Sequence, residues 1–423
     1  MAGPSGYVAV QQNIPARGLF CREIFACQKH RNTLAGHAAG AKADGVTNVP
    51  RLRSHSLSPW PSVTIRPHEH SESGMPTHLI MCCHNGGAYV QTQLASILRQ
   101  SEPIDHFHIF DFASTDDTVT RIAEAFRTLT PHQPYTLHRQ PDAPGPALSF
   151  FHAFAQVQRQ VKDDDCIFIA DQDDVWLPGK VQAMCATFRR EIARTPSGML
   201  AVFHDVHIVD SSLKPLQTSF YTGNPYQVPR DLAADRLLLC NPVVGHTLAI
   251  SGKLLRYVCQ HATPRHYLMH DWAIVLWASR AGRIVWYGQS PLSLYRQHAR
   301  NVLGAHRRRP LFERFRRTRR FALQVTQQAL GFAKDLAHAP AISLNTTDRK
   351  WIRLANSGQL TWRARIFLAQ LALHTGPTFK RKLLSAFLLF QPRHSQDRNS
   401  PQENPHPNPK TGDALVHSRP PHP

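Results

Sequence analysis

Asp171-Gln172-Asp173-Asp174-Val175-Trp176 is the stretch that decides the fold. Ahead of it lies Cys166-Ile167-Phe168-Ile169-Ala170, a short apolar run bounded by acids, which predicts a buried strand. Behind it, Leu177-Pro178-Gly179 leads into a helical pattern over residues 180–194, with Pro178 placed for a first turn. Three carboxylates thus follow directly on the end of a strand. Like charges this close are costly to keep ionised, and a cation among them removes the cost. Oxygen donors without thiolate suit a hard ion such as Mg²⁺ or Mn²⁺, which commonly brings phosphates with it. The plainer alternative is a polar turn followed by a helix cap.

Working outward, strands and helices alternate. His78-Leu79-Ile80-Met81-Cys82-Cys83 is strand-like and stops at the turn signal His84-Asn85-Gly86-Gly87. Val90, Leu94, Ile97 and Leu98 then repeat at helical spacing. Phe107-His108-Ile109-Phe110 is a second strand ending in Asp111, and Ser114-Thr115-Asp116-Asp117 opens another helix. Tyr135-Thr136-Leu137-His138 is a third strand, followed after Gly145 by a helix carrying Phe150, Phe151, Phe154 and Val157. This alternation predicts an α/β fold with a mostly parallel sheet. In such sheets ligands sit at the carboxyl ends of the strands, where Asn85, Asp111 and the acidic stretch gather. Later come a strand near Met199 to Phe203, the run Pro242-Val243-Val244-Gly245-His246-Thr247, an apolar helix opened by His270-Asp271-Trp272, and a strand at Ile284 to Tyr287.

The 423 residues carry 49 Lys and Arg against 29 acids, a net charge of +20, which favours an anionic partner: nucleic acid, membrane surface or phosphorylated substrate. Eight cysteines include no Cys-x-x-Cys pair, and Cys82, Cys83 and Cys166 lie on strand-like runs. That usage fits buried free thiols in a reducing cytoplasm. No apolar run reaches the length of a membrane span. Residues 1–75 lack any period and read as a disordered extension. Residues 76–305 form the α/β domain. Residues 306–391 read as a basic helical region: eight arginines and one glutamate fall between His306 and Arg320, and the run 379–390 is basic, then apolar. That run is too short to span a bilayer and suits the membrane interface. Residues 392–423 read as a second disordered tail.

Taken together, His84-Asn85-Gly86, Asp111 with Ser114-Thr115-Asp116, Asp171-Gln172-Asp173-Asp174-Val175-Trp176, His270-Asp271-Trp272 and Tyr295-Arg296-Gln297-His298 occur in the order found in family 2 glycosyltransferases of the GT-A fold. They most resemble the bacterial rhamnosyltransferase branch, over about residues 76–305. Each motif alone is weak; five in order are a strong signal. The resemblance implies a metal-dependent, inverting transfer from a nucleotide diphosphate sugar, with dTDP-rhamnose the expected donor. The expected acceptor is a glycan or lipid-linked molecule of cell-surface polysaccharide synthesis. It implies Mn²⁺ or Mg²⁺ held by Asp171, Asp173 and Asp174, with Asp171 near the ribose or the metal's waters. Cys83, His84, Asn85 and Asp111 line the nucleotide pocket, and Arg296 and His298 close over the diphosphate. Asp271 matches the general base at a helix start that favours an anion, although a plain helix cap reads the same. His270 and Trp176 are candidate acceptor contacts, Trp176 either stacking on a sugar or serving as a core aromatic.

Phe112 stands where the family usually has a second acid. Either Asp111 takes over recognition of the base or Phe112 stacks on it. The expected location is cytoplasmic, peripheral on an anionic membrane through the basic tail. A non-catalytic, nucleic-acid-binding protein is the competing reading of the charge. The confinement of the basic run to the C-terminal region and the lack of a zinc-finger-type motif oppose it.

Overall fold

The structure, a computed structural model, describes residues 74–222, 226, 228, 230–298, 311–339, 344–355, 360–373 and 378–389. The expected disordered segments (apart from residues 74 and 75), the stretch 299–306 and the first arginines of the basic run lie outside the described residues.

Strand β1 (Thr77–Cys83) is followed by helix α1 (Val90–Leu98), β2 (His106–Phe112), α2 (Thr118–Leu129), β3 (Tyr135–Gln140), α3 (Pro146–Val157) and β4 (Cys166–Ala170). β1 pairs in parallel with both β2 and β4, and β2 in parallel with β3. Each crossover helix buries the stripe its apolar spacing marks, as Val90, Leu94 and Ile97 show on α1. Because the strands run in parallel, Cys83 and Asp111 come into register at the sheet's carboxyl edge, just where β4 delivers the acidic loop.

Past that loop run β5 (Val175–Trp176), α4 (Lys180–Ile192), β6 (Leu200–His204), β7 (Val206–Asp210), β8 (Pro215–Gln217), α5 (Ala234–Leu237), β9 (Ala249–Ser251), α6 (Gly252–His261), α7 (His270–Ala281), β10 (Arg283–Tyr287) and β11 (Ser293–Gln297). The main sheet has seven strands in the order β10-β6-β9-β4-β1-β2-β3. β9 alone runs antiparallel within it, against β4 and β6. A second sheet, β5-β11-β7-β8, stands beside the acidic loop. Its β5 and β11 pair antiparallel, so Val175 and Trp176 are locked to Leu294 and Ser293. This sheet leaves no mark in the sequence, because β5 and β8 have two and three residues, too few to show a period.

The last of the described residues form four helices, α8 (Leu311–His338), α9 (Thr346–Ala355), α10 (Trp362–Leu373) and α11 (Thr378–Leu389). They do not form a separate appendage. Ala322, Val325, Phe332 and Leu336 of α8, Trp351 of α9 and Leu368 of α10 share one hydrophobic cluster with Phe154 of α3, Leu254 of α6 and Trp277 of α7. Leu384 and Leu388 of α11 join the same cluster. Leu384 and Leu388 are thereby committed to the protein interior. Arg280 of α7 and Asp348 at the start of α9 form a buried ion pair at 2.9 Å. Among the described residues no helix is long and apolar enough to cross a membrane, and their cysteines are all unpaired, Cys83, Cys166, Cys185 and Cys240 being buried.

Candidate active site

The loops after β1, β2 and β4 meet at one edge and are tied together by side chains. Asn85 adopts a left-handed conformation, with φ of 48°. Its N–H donates to Ser114 Oγ at 2.9 Å, and its Oδ1 accepts from Thr115 N–H at 2.8 Å. Gly86 N–H donates to Thr118 Oγ1 at 2.8 Å and Gly87 N–H to Asp116 Oδ2 at 3.0 Å. The Ser-Thr-Asp motif thus fastens the β1 and β2 loops to each other. Gln172 completes the set: its amide accepts from His84 N–H at 3.0 Å and donates to His84 O at 3.1 Å. A Cβ on Gly86 would lie 2.1 Å from Gln172 Oε1, so only glycine admits this pairing.

The three acids of the loop have separate surroundings. Asp171 is the most open, its side chain 38% exposed. Asp174 is fully buried: its Oδ1 accepts the N–H of Arg296 at 3.0 Å, and its Oδ2 lies 2.7 Å from His246 Nδ1. Asp173 turns the other way, and its Oδ2 lies 2.7 Å from His298 Nε2. Burial, with Asp174 and Asp171 beside it, pushes the Asp173 carboxyl up to about 6 against the pull of His298. Asp171, Asp174 and His246 bring one ligand atom each within 4.8 Å of one another. His246 was absent from the sequence expectations; nothing in Val244-Gly245-His246 marks it, and only the antiparallel β9 brings it under the loop. Burial alone lowers its imidazole, but the charge of Asp174 and bonding to both acids hold it at about 9. Once the His246 proton is displaced, two carboxylates and an imidazole make a donor set that fits a divalent cation, and the nitrogen suits Mn²⁺ better than Mg²⁺.

Lys180 is buried beneath the loop, donating to His246 O at 2.9 Å with its ammonium 3.7 Å from the Trp176 ring centroid. Trp176 itself is 1% exposed and packs on Phe168. It is a core aromatic and cannot stack on a sugar. Phe112 is likewise interior, within the main cluster, so it does not reach a nucleobase; only its carbonyl takes part, 2.6 Å from His84 Nδ1. Asp111 is buried at the end of β2 with Oδ1 unpartnered and Arg139 Nε at 4.0 Å from its Oδ2. Cys83 is buried beside it, its thiol pushed up by that burial and the surrounding acids.

Arg296 and His298 stand on or just after β11. Arg296 donates from Nε to Asp173 O and from Nη1 to Ser211 O, both at 2.7 Å. Its guanidinium lies 4.8 Å from the Tyr89 ring centroid, and His298 stacks on the same ring at 4.8 Å. These two residues therefore brace the acidic loop against the loop after β1. Tyr89, unmarked in the sequence, is the shared floor.

Asp271 lies in the first turn of α7 and is 5% exposed. Burial raises its carboxyl to about 7, while hydrogen bonds from the backbone of Trp272 and Gly245 and from Asn241 Nδ2 at 3.1 Å limit the rise. A carboxylate poised near neutrality is suited to accept a proton. His270 beside it is buried, its imidazole lowered by burial to about 4, with neither ring nitrogen partnered and its ring stacked on Phe150 at 3.8 Å. Two other acids of this half of the chain, Asp205 and Asp210, are engaged in turns. Asp205 Oδ1 accepts from Val206 and Phe220 N–H, and Asp210 Oδ1 from Ser212 and Lys214 N–H.

Residues 78–221 match the family model described as glycosyl transferase family 2. Among curated proteins, the dTDP-rhamnosyl transferase RfbG of Shigella flexneri is 26% identical over 238 residues, 53% of this chain and 74% of that protein. Among solved structures, S. aureus TarS 1-349 in complex with UDP-GlcNAc aligns at 13% identity and a TM-score of 0.43, covering 74% of this chain and 90% of that one. The mannosyltransferase PcManGT of Pyrobaculum calidifontis, in complex with GDP-Man and Mn²⁺, aligns at 17% identity and a TM-score of 0.39, covering 75% and 86%.

Proposed function

We propose that this chain, a glycosyltransferase carrying a family 2 domain over residues 78–221, transfers L-rhamnose from dTDP-rhamnose with inversion, using Asp271 as general base. The observation that carries the reading is the pairing of two unlike acidic centres. One is the crowded loop of Asp171, Asp173 and Asp174 at the end of β4; the other is a single carboxylate in the first turn of α7, raised to about 7. A one-step displacement with inversion needs that division, because leaving diphosphate and attacking hydroxyl lie on opposite sides of the anomeric carbon.

Asp171 and Asp174, with His246, would hold a divalent cation, and Asp173 stands beside them in the same loop, paired with His298. When bound, such an ion offsets charge on the leaving diphosphate. Cys83, His84, Asn85 and Asp111 are proposed to border the nucleotide. His270, with both nitrogens unpartnered, is proposed to meet a hydroxyl of the acceptor or of the transferred sugar. Asp271 takes the acceptor's proton as its oxygen attacks. The donor sugar is supported by the 26% identity to a dTDP-rhamnosyl transferase. The acceptor is read as a glycan or lipid-linked molecule of cell-surface polysaccharide synthesis. The location is read as cytoplasmic and peripheral on an anionic membrane.

Incubating the purified protein with a panel of nucleotide sugars and Mn²⁺ tests the donor, dTDP-rhamnose being expected to turn over fastest. EDTA is expected to abolish turnover and added Mn²⁺ to restore it. In Asp271→Asn the transfer rate should fall by about 10²–10⁴, with nucleotide affinity kept within about twofold of the parent. A rate within about threefold of the parent rejects Asp271 as base. Lost nucleotide affinity would move it to the donor side.

A further inference from the structure

From the contacts of α8 we infer that Asp335 is a positioning residue for the base: it fixes the segment 263–269, and through Tyr267 the helix α7, that present Asp271. The inference rests on Asp271 acting as the base.

Asp335 sits on α8, 64 residues beyond Asp271 in sequence and outside the stretch 78–221. Its carboxylate receives four hydrogen bonds from one short segment. Thr263 N–H and Oγ1 approach at 2.9 and 2.8 Å, His266 Nδ1 at 2.9 Å, and Tyr267 O–H at 2.9 Å. The Tyr267 oxygen in turn accepts from Trp277 Nε1, on α7, at 3.0 Å. One buried acid on the C-terminal helix therefore grips both the approach to Asp271 and the middle of the helix that begins with His270. Two further contacts keep α8 in register. Gln328 Oε1 accepts the N–H of Leu268 at 2.8 Å. Gly331 leaves room for His266, whose Cβ and ring lie 2.6 Å from where a Gly331 Cβ would stand.

The arrangement is out of proportion for a surface tether. A carboxylate with four donors is satisfied over almost its whole acceptor capacity, and charge-assisted bonds of this kind are directional as well as strong. No residue of the acidic loop contributes to it. Among the described residues its contacts lead toward Asp271 through the placement of α7, where a displacement of about 1 Å costs on the order of 100-fold in rate.

The test uses the full-length protein and three substitutions, Asp335→Asn, Tyr267→Phe and Asp271→Asn, alone and combined. Turnover, nucleotide affinity and thermal melting are measured for each. Asp335→Asn is expected to lower turnover about tenfold or more, with nucleotide affinity unchanged and the melting transition still above assay temperature. Tyr267→Phe should lower it less, and the pair should be no worse than Asp335→Asn. The discriminating combination is Asp335→Asn with Asp271→Asn. With the base already gone, loss of its positioning should cost nothing further. An equal drop in the parent and in the Asp271→Asn background overturns the inference and leaves Asp335 a general stabiliser. Should Asp335→Asn yield no folded protein, Tyr267→Phe in both backgrounds asks the same question with a smaller lesion, and an equal drop there overturns it likewise. A parental rate in Asp271→Asn alone would instead reject the base assignment, which the same data show separately.

Discussion

Asp271 has two pH signatures of opposite sense. In the proposed role of base it must be ionised, so turnover should rise with pH and level off above about 7, the position to which burial raises its carboxyl. For stability the sign reverses. The folded value lies above the unfolded one, near 3.9, so between about pH 4 and 7 the folded state holds the extra proton. Stability therefore falls as pH rises through that window. Asp271→Asn removes this dependence, and its melting temperature relative to the parent should climb from pH 5 to pH 8. A difference that stays constant across that range would argue against a raised Asp271. Trp176 makes the complementary point. Its position after the acidic loop suggested a sugar platform, yet it is enclosed by Phe168 and Lys180. Trp176→Ala should cost about 3–5 kcal/mol of stability and leave the ranking of donor sugars unchanged.

Elements carry what single residues do not. The βα units from β1 to β4 were legible because each strand is a short apolar run, each helix keeps its spacing, and each loop ends in marked polar residues. The antiparallel β9 was not, since Leu248-Ala249-Ile250 has no feature that sets its direction, and with it went His246. Nor were the bonds that orient Arg296 legible: its Nε and Nη1 donate to two backbone carbonyls, which fixes the guanidinium beside the acidic loop. Pairing between loops is also invisible in sequence, and the Gln172 latch on His84 is the clearest case. Gly86→Ala would place a methyl 2.1 Å from Gln172 Oε1, forcing the amide away and breaking both bonds to His84. Two such bonds are worth about 0.5–1.5 kcal/mol each, so nucleotide affinity should weaken about tenfold. Gln172→Ala should weaken it similarly, and the two together no further. Unchanged affinity in both would show that the latch does not shape the nucleotide pocket.

At the scale of the whole molecule, the described C-terminal helices share the main hydrophobic cluster with the α/β domain, and this changes how membrane binding must be tested. Removing everything from residue 306 would strip Val325, Phe332, Leu336 and Trp351 from the main cluster and leave Arg280 buried without Asp348, a loss of about 3–5 kcal/mol for the pair alone. Such a deletion is expected to lose cooperative unfolding, and vesicle binding by it would mean nothing. The surface itself offers a gentler probe. Arg316, Arg317, Arg319 and Arg320 are exposed on α8. Trp362, Ile366 and Leu373 are exposed on α10, at 58%, 36% and 45%. At 100° per residue these three fall within about 40° of one another around the helix, a narrow apolar stripe. Exposed Trp and Leu side chains bind a membrane interface through apolar area, and exposed arginines attract anionic headgroups at about 1 kcal/mol per basic residue close to the surface. Changing the four exposed arginines to Gln removes charge from the surface, so binding to phosphatidylglycerol vesicles should weaken at least tenfold, with thermal melting measured beside it to show that the variant is folded. Trp362→Ser should weaken it further without changing its salt dependence, because the stripe acts through apolar area and the arginines through charge. Undiminished binding by the arginine variant, or binding of the parent that ignores salt between 50 and 500 mM (about a threefold change in screening length), would remove the electrostatic part of the membrane reading.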